Sequence, residues 1–390
     1  MKERLELKYG CNPNQKNAFI EAEGKLPIKL LNGKAGYINL LDGLFGYSLV
    51  KELKAATGRP SAASFKHTSP AGAAISIPLD EREKAMYFVT EKTELSPLAV
   101  AFIRARGADR MSSFGDFISL SDVCDRATAK VISKEVSDGI IAPGYSDEAL
   151  SILKEKRGGN YTIISIDENY IPPEVETKTI YGITFSQKHN SFIPSDKDFS
   201  NPVTEIKEIS EEAKLDLIVA LITAKYTQSN SVCYAKHGQS IGVGAGQQSR
   251  IHCTRLAGDK SDRWHLRQSD RVLSLPFKKG LSRNDKDNVI EQYLTDDPEI
   301  DLFSNWEDWF NEKPAPFRRE EKKEYLSHIS GVSLASDAFF PFRDNIDRAY
   351  RSGVSYISEP GGSLRDDIVI EAANEHKMVM FFTGVRLFHH

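Results

Sequence analysis

Short β-rich runs alternate with segments of helical spacing from Ser61 to Phe382, and this alternation limits the fold of the 390-residue chain more than any other feature. Ser61 to Phe65 and Lys130 to Ile132 read as short strands. Leu98 to Ile103 fits either a buried strand or a helix, because periodicity does not separate the two in so short a run. Glu211 to Lys225 opens on acids, carries apolar residues at helical spacing and ends on a lysine, which predicts a helix. Ser231 to Ala235 and Ser240 to Val243 flank His237-Gly238 and read as a tight hairpin. Asp366 to His376 reads as a helix, followed by a strand at Met378 to Phe382. Strands and helices alternating in this way mean an α/β fold. A chain of this length is expected to hold two or three domains. The polar, proline-punctuated stretch from Phe192 to Pro202 reads as the linker, dividing the chain into 1–195 and 196–390.

Composition narrows the class of function. With 40% hydrophobic and 27% charged residues, the chain is an ordinary globular protein. A net charge of −4 disfavours a nucleic-acid partner, which selects a clearly basic domain. The most apolar run, Leu217 to Ile222, is far short of the ~20 residues that cross a bilayer, so no membrane partner is expected. Met1 to Glu6 alternates charges where a signal peptide needs an apolar stretch. Cys11, Cys124, Cys233 and Cys253 form no CxxC pair, which fits neither a zinc ribbon nor a disulfide framework. A cytoplasmic location is the expectation.

Charge is unevenly spread. Nine basic residues stand against three aspartates between Gln247 and Arg283, and ten acids against Lys286 between Asp285 and Glu312. The acidic block reads as a solvated face. The basic block contains glycines and small residues, so it is either another such face or an anion-binding loop.

Several segments could carry chemistry. In Phe65 to Ala74 a strand ends just before Ser69-Pro70, a pair suited to the N-cap and first position of a helix. Lys66 and His67 would then stand where open α/β sheets bind their ligands. The pair is either an accident of a strand end or a fixed cation beside an imidazole able to move a proton. Gly242 to Arg255 lacks the third glycine of a dinucleotide-binding turn, so NAD is not expected. It reads instead as a strand entering a glycine turn that presents Gln247, Gln248 and Arg250, the last able to grip a phosphate or carboxylate. Tyr226 to Ser231 is a capped loop or an oxygen-lined site for a carbonyl or a monovalent cation. Ser336 to Asp344 sets three phenylalanines beside Arg343 and Asp344, as a core-facing turn or a slot for a flat heterocycle. No HxE is followed by PCxxC, which removes a zinc deaminase site. GxSxG and Walker A motifs are also missing.

Together, Lys8 to Gln15, Gly36 to Leu40, Phe65 to Ala74, Arg110 to Asp116, Val136 to Gly144, Tyr226 to Val232, Gly244 to Lys260, Asp337 to Asp344 and Arg386 to His390 resemble the AICAR transformylase domain of the bifunctional purine-biosynthesis enzymes. The resemblance runs from residue 8 to the last residue. It implies two zinc-free cytidine-deaminase-like α/β/α subdomains, and a homodimer with active sites at the subunit interface. It also implies formyl transfer from 10-formyltetrahydrofolate, the co-substrate, to the 5-amino group of AICAR, giving FAICAR and tetrahydrofolate.

By this resemblance His67 is the general base or proton shuttle, Lys66 faces the oxyanion, and Asn230 orients the formyl group and the amine. Lys8, Tyr9, Asn39, Gly115, Asp138, Arg250, Phe339 and Arg386 match the AICAR site, with Lys8, Arg250 and Arg386 as cations for the ribose phosphate. Ile251, Asp344, Ser363 and Leu364 match the folate site. Thr227, Ser229, Ser231 and Asp337 match a potassium site of some members. Lys8 departs from the arginine common in the family, giving a point charge in place of a two-pronged fork. The cyclohydrolase domain of the bifunctional members has no counterpart in these residues, so a separate IMP cyclohydrolase is the expected downstream partner. Two other readings of the same residues are a formyltransferase fed by formate and ATP, and a nucleotide-binding module without catalysis.

Overall fold

The computed structural model describes residues 2–296, 302 and 304–390; residues 297–301 and 303 of the acidic block lie outside them. A hairpin of β1 (Lys2–Glu6) and β2 (Phe19–Glu23) precedes β3 (Ile28–Asn32). There follow α1 (Tyr37–Thr57), β4 (Ser61–Lys66), β5 (Ser69–Ile75), α2 (Glu81–Met86), α3 (Pro97–Gly107), β6 (Asp116–Leu120), α4 (Arg126–Ile132), β7 (Ser137–Ala142), α5 (Asp147–Lys154) and β8 (Thr162–Ile166). A second hairpin, β9 (Val175–Ile180) and β10 (Ile183–Lys188), leads to α6 (Glu211–Lys225), β11 (Val232–Lys236) and β12 (Gln239–Gly244). The chain continues through α7 (Arg250–Leu266), α8 (Asp270–Leu273), α9 (Arg283–Leu294) and α10 (Arg319–Ser327). It closes with β13 (Val332–Ser336), α11 (Asp344–Arg351), β14 (Val354–Glu359), α12 (Asp366–Glu375) and β15 (Val379–Phe382).

Eleven strands form one mixed sheet in the order β15-β14-β13-β11-β12-β5-β4-β6-β7-β8-β3. The order contains a repeat. In each half a long helix (α1 or α6) leads into an antiparallel hairpin, β4–β5 or β11–β12. The first hairpin strand pairs antiparallel with β6 or β13, and two further strands add in parallel. β5 and β12 meet antiparallel at Ala74 and Gln239, so the two hairpin tips point to opposite ends of the sheet. The fold is a duplicated mixed α/β architecture.

Alternation along the strands separates two cores. Ala63, Phe65, Ala73 and Ile75 pack with Leu49, Val50 and Leu53 of α1 and Leu217 and Leu221 of α6. Ala62 and Ala74 face the other layer with residues of α3, α4, α7, α11 and α12. The apolar run Leu217 to Ile222 is the buried centre of α6, enclosed by the sheet and α1. Among the described residues no helix is long and apolar enough to cross a membrane.

Two local expectations are corrected and one open alternative is decided. Lys130 to Ile132 ends α4, because the Asp125 side chain accepts the Thr128 backbone N–H at 2.7 Å and starts a helix. Leu98 to Ile103 is likewise helical, capped by Ser96 with Pro97 in the first turn. Ser69-Pro70 begins β5 and no helix, since His67 and Thr68 close a two-residue turn that sends the chain straight back along β4. The stretch from Phe192 to Pro202 is anchored to the sheet by one side chain. Phe199 is 2% exposed and meets the Phe381 ring edge-on at 5.6 Å.

The basic block is paired with acids inside and outside the acidic block. Arg267 pairs with Asp287 and Arg263 with Glu291, while Lys260, Arg271 and Arg283 hold Asp109, Glu321 and Glu135 at 2.9, 2.6 and 2.8 Å. Buried ions need such partners. Two glycines at the end of β12 also serve packing: a Cβ on Gly242 would stand 2.1 Å from the Ala257 carbonyl, and one on Gly244 2.5 Å from that of Cys253. They let α7 lie close on β12.

Candidate active site

The tip of the β4–β5 hairpin carries the first predicted site residues. His67 and Thr68 both have left-handed φ, 56° and 60°. A two-residue hairpin loop needs this backbone, and glycine or asparagine usually supplies it. For other residues the conformation costs of order 1–3 kcal/mol each. The Asp42 carboxylate of α1, 4% exposed, accepts the Thr68 backbone N–H at 2.7 Å and so holds the turn. Burial raises the Asp42 pKa to about 6, opposed by the N–H groups of the turn and by the nearby His67. His67 is exposed at the tip. Half-buried Lys66 donates to the Phe114 carbonyl at 2.7 Å, which sets it beside Gly115. Gly115 in turn donates to the Val136 carbonyl at 3.1 Å.

The loop after α6 meets this tip. The Gln228 backbone N–H donates to Ser69 Oγ at 3.2 Å, and its side chain reaches Thr68 Oγ1 at 3.4 Å. The next peptide bond but one, Ser229–Asn230, is cis. Asn230 donates to the carbonyls of Gln247 and Gln248 at 2.6 and 3.1 Å, and its own oxygen accepts from Arg250 at 2.7 Å. Arg250, at the start of α7, is ion-paired with fully buried Asp337 and donates to the Ser231 carbonyl at 3.2 Å. Ser229 Oγ donates to the other Asp337 oxygen at 2.6 Å. The C-terminal segment is laced to the same group: Leu387 N–H donates to the Asp337 carbonyl at 2.8 Å, and His389 N–H to Ser229 Oγ at 2.9 Å.

The remaining residues surround this cluster unevenly. Ile251 follows Arg250 on α7. Thr254, one turn on, donates to Asn345 at 2.8 Å, and Asn345 donates to Asp344 at 2.9 Å. Phe340 N–H donates to Glu359 at 2.5 Å, tying the Phe339 turn to the end of β14, which leads on to Ser363 and exposed Leu364. Phe339 is itself 41% exposed. Asn39 lies in the first turn of α1, one turn before Asp42 on the same face. Asp138 of β7 accepts from Arg157 at 2.8 Å. Lys8 stands 5.9 Å from the Tyr9 ring, and among the described residues no hydrogen bond joins either to the Arg250 group. Arg386 is exposed, 4.6 Å over the Phe388 ring.

Two of the predicted site residues are engaged within the protein. Arg250 is not an open cation: its charge is balanced by Asp337 inside the protein. Both ends of the Asn230 amide are engaged, so in this conformation it braces the Gln247–Gln248 loop. Asp42 was not anticipated, while Gln228 and Ser69 belong to stretches singled out in the sequence without this contact being expected. The helical spacing from Asn39 to Asp42 was the available signal for the first; the meeting of the other two depends on the tertiary fold.

The potassium positions can be tested against the chemistry. Thr227, Ser229 and Ser231 donate their hydroxyl protons to the Thr223 carbonyl, Asp337 and the Ala224 carbonyl, which leaves oxygen lone pairs for a cation. Because Arg250 already neutralises Asp337, this all-oxygen set suits a monovalent ion better than a divalent one. Among the described residues no cluster of three or more His, Cys, Asp or Glu side chains could hold a metal.

Comparison with known proteins gives the family. Proteins called bifunctional purine biosynthesis protein PurH are 30% identical in Rhizobium rhizogenes, over 99% of this chain, and 32% identical in Ruegeria sp., over 98% of it. The one from Cereibacter sphaeroides is 30% identical over 98%. This chain spans 59% of the length of each of these relatives. A family model described as the AICARFT/IMPCHase bienzyme matches residues 1–260, which include the Lys66–His67 turn, Asn230 and Arg250. The chain belongs to the AICARFT/IMPCHase family.

Proposed function

We propose that this chain acts in purine biosynthesis by transferring the formyl group of 10-formyltetrahydrofolate to the 5-amino group of AICAR, giving FAICAR and tetrahydrofolate. The observation that carries this reading is the hairpin tip, where an exposed imidazole follows a lysine at the point reached by the Gln228 loop of the other repeat.

The chemistry asks for these groups. An amine on a ring that also bears a carboxamide is a poor nucleophile, so its proton must leave as it attacks. Nitrogen bonds to the formyl carbon while His67 takes the proton. The former formyl oxygen then carries negative charge, which the Lys66 ammonium offsets; such a donor is worth about 3 kcal/mol. Collapse breaks the bond from the formyl carbon to N10, and the proton held by His67 passes to that nitrogen. Lys8 and Arg386, both exposed, are the cations for the ribose phosphate. Tyr9, Asn39, Gly115, Asp138 and Phe339 complete the nucleotide site, and Ile251, Asp344, Ser363 and Leu364 the folate site. Arg250 and Asn230 act as the brace between them. A potassium ion at Thr227, Ser229, Ser231 and Asp337 would stiffen the same loop.

The division into units 1–195 and 196–390 belongs to this reading and is supported by the repeated strand order. So does a homodimer, for which exposed Ile180, Ile183 and Phe185 of the β9–β10 hairpin offer an apolar surface. The test is release of tetrahydrofolate from AICAR and 10-formyltetrahydrofolate by the purified chain. His67→Ala is expected to lose turnover by orders of magnitude with its fold intact. Near-wild-type turnover in that variant removes His67 as the base, and activity only with formate and ATP replaces the donor.

A further inference from the structure

We infer that Asp42 is the positioning residue for His67, holding the left-handed His67–Thr68 turn from beneath so that the imidazole stays at the tip. The inference rests on the reading of His67 as the base and goes one layer below it. Among the described residues the His67 ring makes no hydrogen bond of its own, so its place is set by the backbone that carries it. That backbone is in a conformation two non-glycine residues resist, and the group that meets its N–H is the buried Asp42 carboxylate, at 2.7 Å.

The second repeat supplies an internal control. Lys236-His237 stands at the β11–β12 tip as Lys66-His67 stands at the β4–β5 tip, again with left-handed φ, 52° at His237 and 70° at Gly238. Asp216 of α6 takes the place of Asp42, accepting the His237 and Gly238 backbone N–H groups at 3.2 and 2.6 Å. It is 3% exposed. Two differences separate the tips. Glycine fills the second turn position there, without the steric cost that Thr68 bears. Moreover, His237 Nδ1 lies 3.3 Å from Glu83, so its ring is engaged with the protein, while the lysine of each tip bonds to a carbonyl, Phe114 for Lys66 and Ser330 for Lys236. The same device thus holds one imidazole that is engaged and one that is open.

The experiment compares matched substitutions in the full chain, reading steady-state kinetics, thermal midpoint and the imidazole signal of His67 by NMR. Asp42→Ala is expected to lower kcat at least tenfold with KM for AICAR within twofold, and to shift the His67 signal. Asp42→Asn keeps one acceptor oxygen and should fall between that variant and wild type. Asp216→Ala should lose thermal midpoint to a similar extent yet keep kcat within twofold. Equal effects of the Asp42 and Asp216 variants on kcat, or an unmoved His67 signal, overturn the inference. If Asp42→Ala does not fold, Asp42→Asn and Asp216→Asn decide: at least a threefold loss of kcat in the first alone supports it, and equal kcat overturns it. His67→Ala is run beside them. An inactive His67→Ala with fully active Asp42 variants sinks only this inference, whereas an active His67→Ala sinks the assignment of the base.

Discussion

Arg250 and Asp337 form an ion pair whose side chains are 7% and 0% exposed, and the pair ties the start of α7 to the end of β13. Asn230, Ser229 and Ser231 all bond to one or other of its members. The loop that meets the hairpin tip is therefore built around a neutralised charge.

Removing one partner of such a pair leaves the other charged and buried, which typically costs 3–5 kcal/mol. Arg250→Met should lose stability on that scale in urea unfolding. Arg250→Met combined with Asp337→Leu should recover much of it. A loss below about 1 kcal/mol in the single variant would mean that Asp337 finds another counter-charge.

Lys66→Met keeps the length of the side chain and removes its charge. If the ammonium offsets the developing oxyanion, turnover falls about a hundredfold, the usual scale for losing one such donor. Differential scanning calorimetry should show a midpoint little changed. Unaltered turnover would take this role away from Lys66.

Gly72 of β5 stands against α3 as Gly242 of β12 stands against α7. A Cβ at either position would come within 2.1 Å of a helix carbonyl, Ala105 in one case and Ala257 in the other. Gly72→Ala and Gly242→Ala should each destabilise by about 1–3 kcal/mol, the range for overpacked cores. Chemical denaturation measures it, and a neutral result at one site would show that its helix can move away from the sheet.

Burial raises the Glu359 pKa to about 8, with the Asp366 charge adding to it and the Phe340 N–H opposing. Among the described residues its Oε1 has no hydrogen-bond partner. Between the ordinary carboxylate range and pH 8 the folded protein holds this proton and the unfolded chain does not. Stability is then lost as pH rises through that interval, and the loss levels off above about 8. Glu359→Gln cannot ionise, so relative to wild type it should gain at least about 1 kcal/mol between pH 5 and pH 9. Parallel stability curves for the two proteins would mean that the folded carboxyl is already ionised.

Much of the second repeat was legible in sequence. The span of α6 matched its acids, apolar spacing and terminal lysine, and the turn at His237-Gly238 matched a hairpin. Both signals are local, arising from capping and from left-handed backbone. The first repeat was harder. Ser69-Pro70 has the chemistry of a helix start, yet the two residues before it turn the chain into a strand, because Asp42 on a distant helix meets the turn. Lys130 to Ile132 looked β-like, and a capping aspartate made it the last turn of a helix.

The site followed the same division. The residue types at the hairpin tip and in the loop after α6 could be named from the chain alone, since their chemistry and their order are properties of the sequence. Whether a given charge is open or balanced was not, because it depends on what lies across the sheet. Arg250 reads as an anion-binding cation until Asp337, 87 residues away, is placed against it. Asp42 reads as one more polar residue of a helix until the hairpin folds over it. Burial turns each from a solvated charge into a fixed support, and burial is a property of the packed chain.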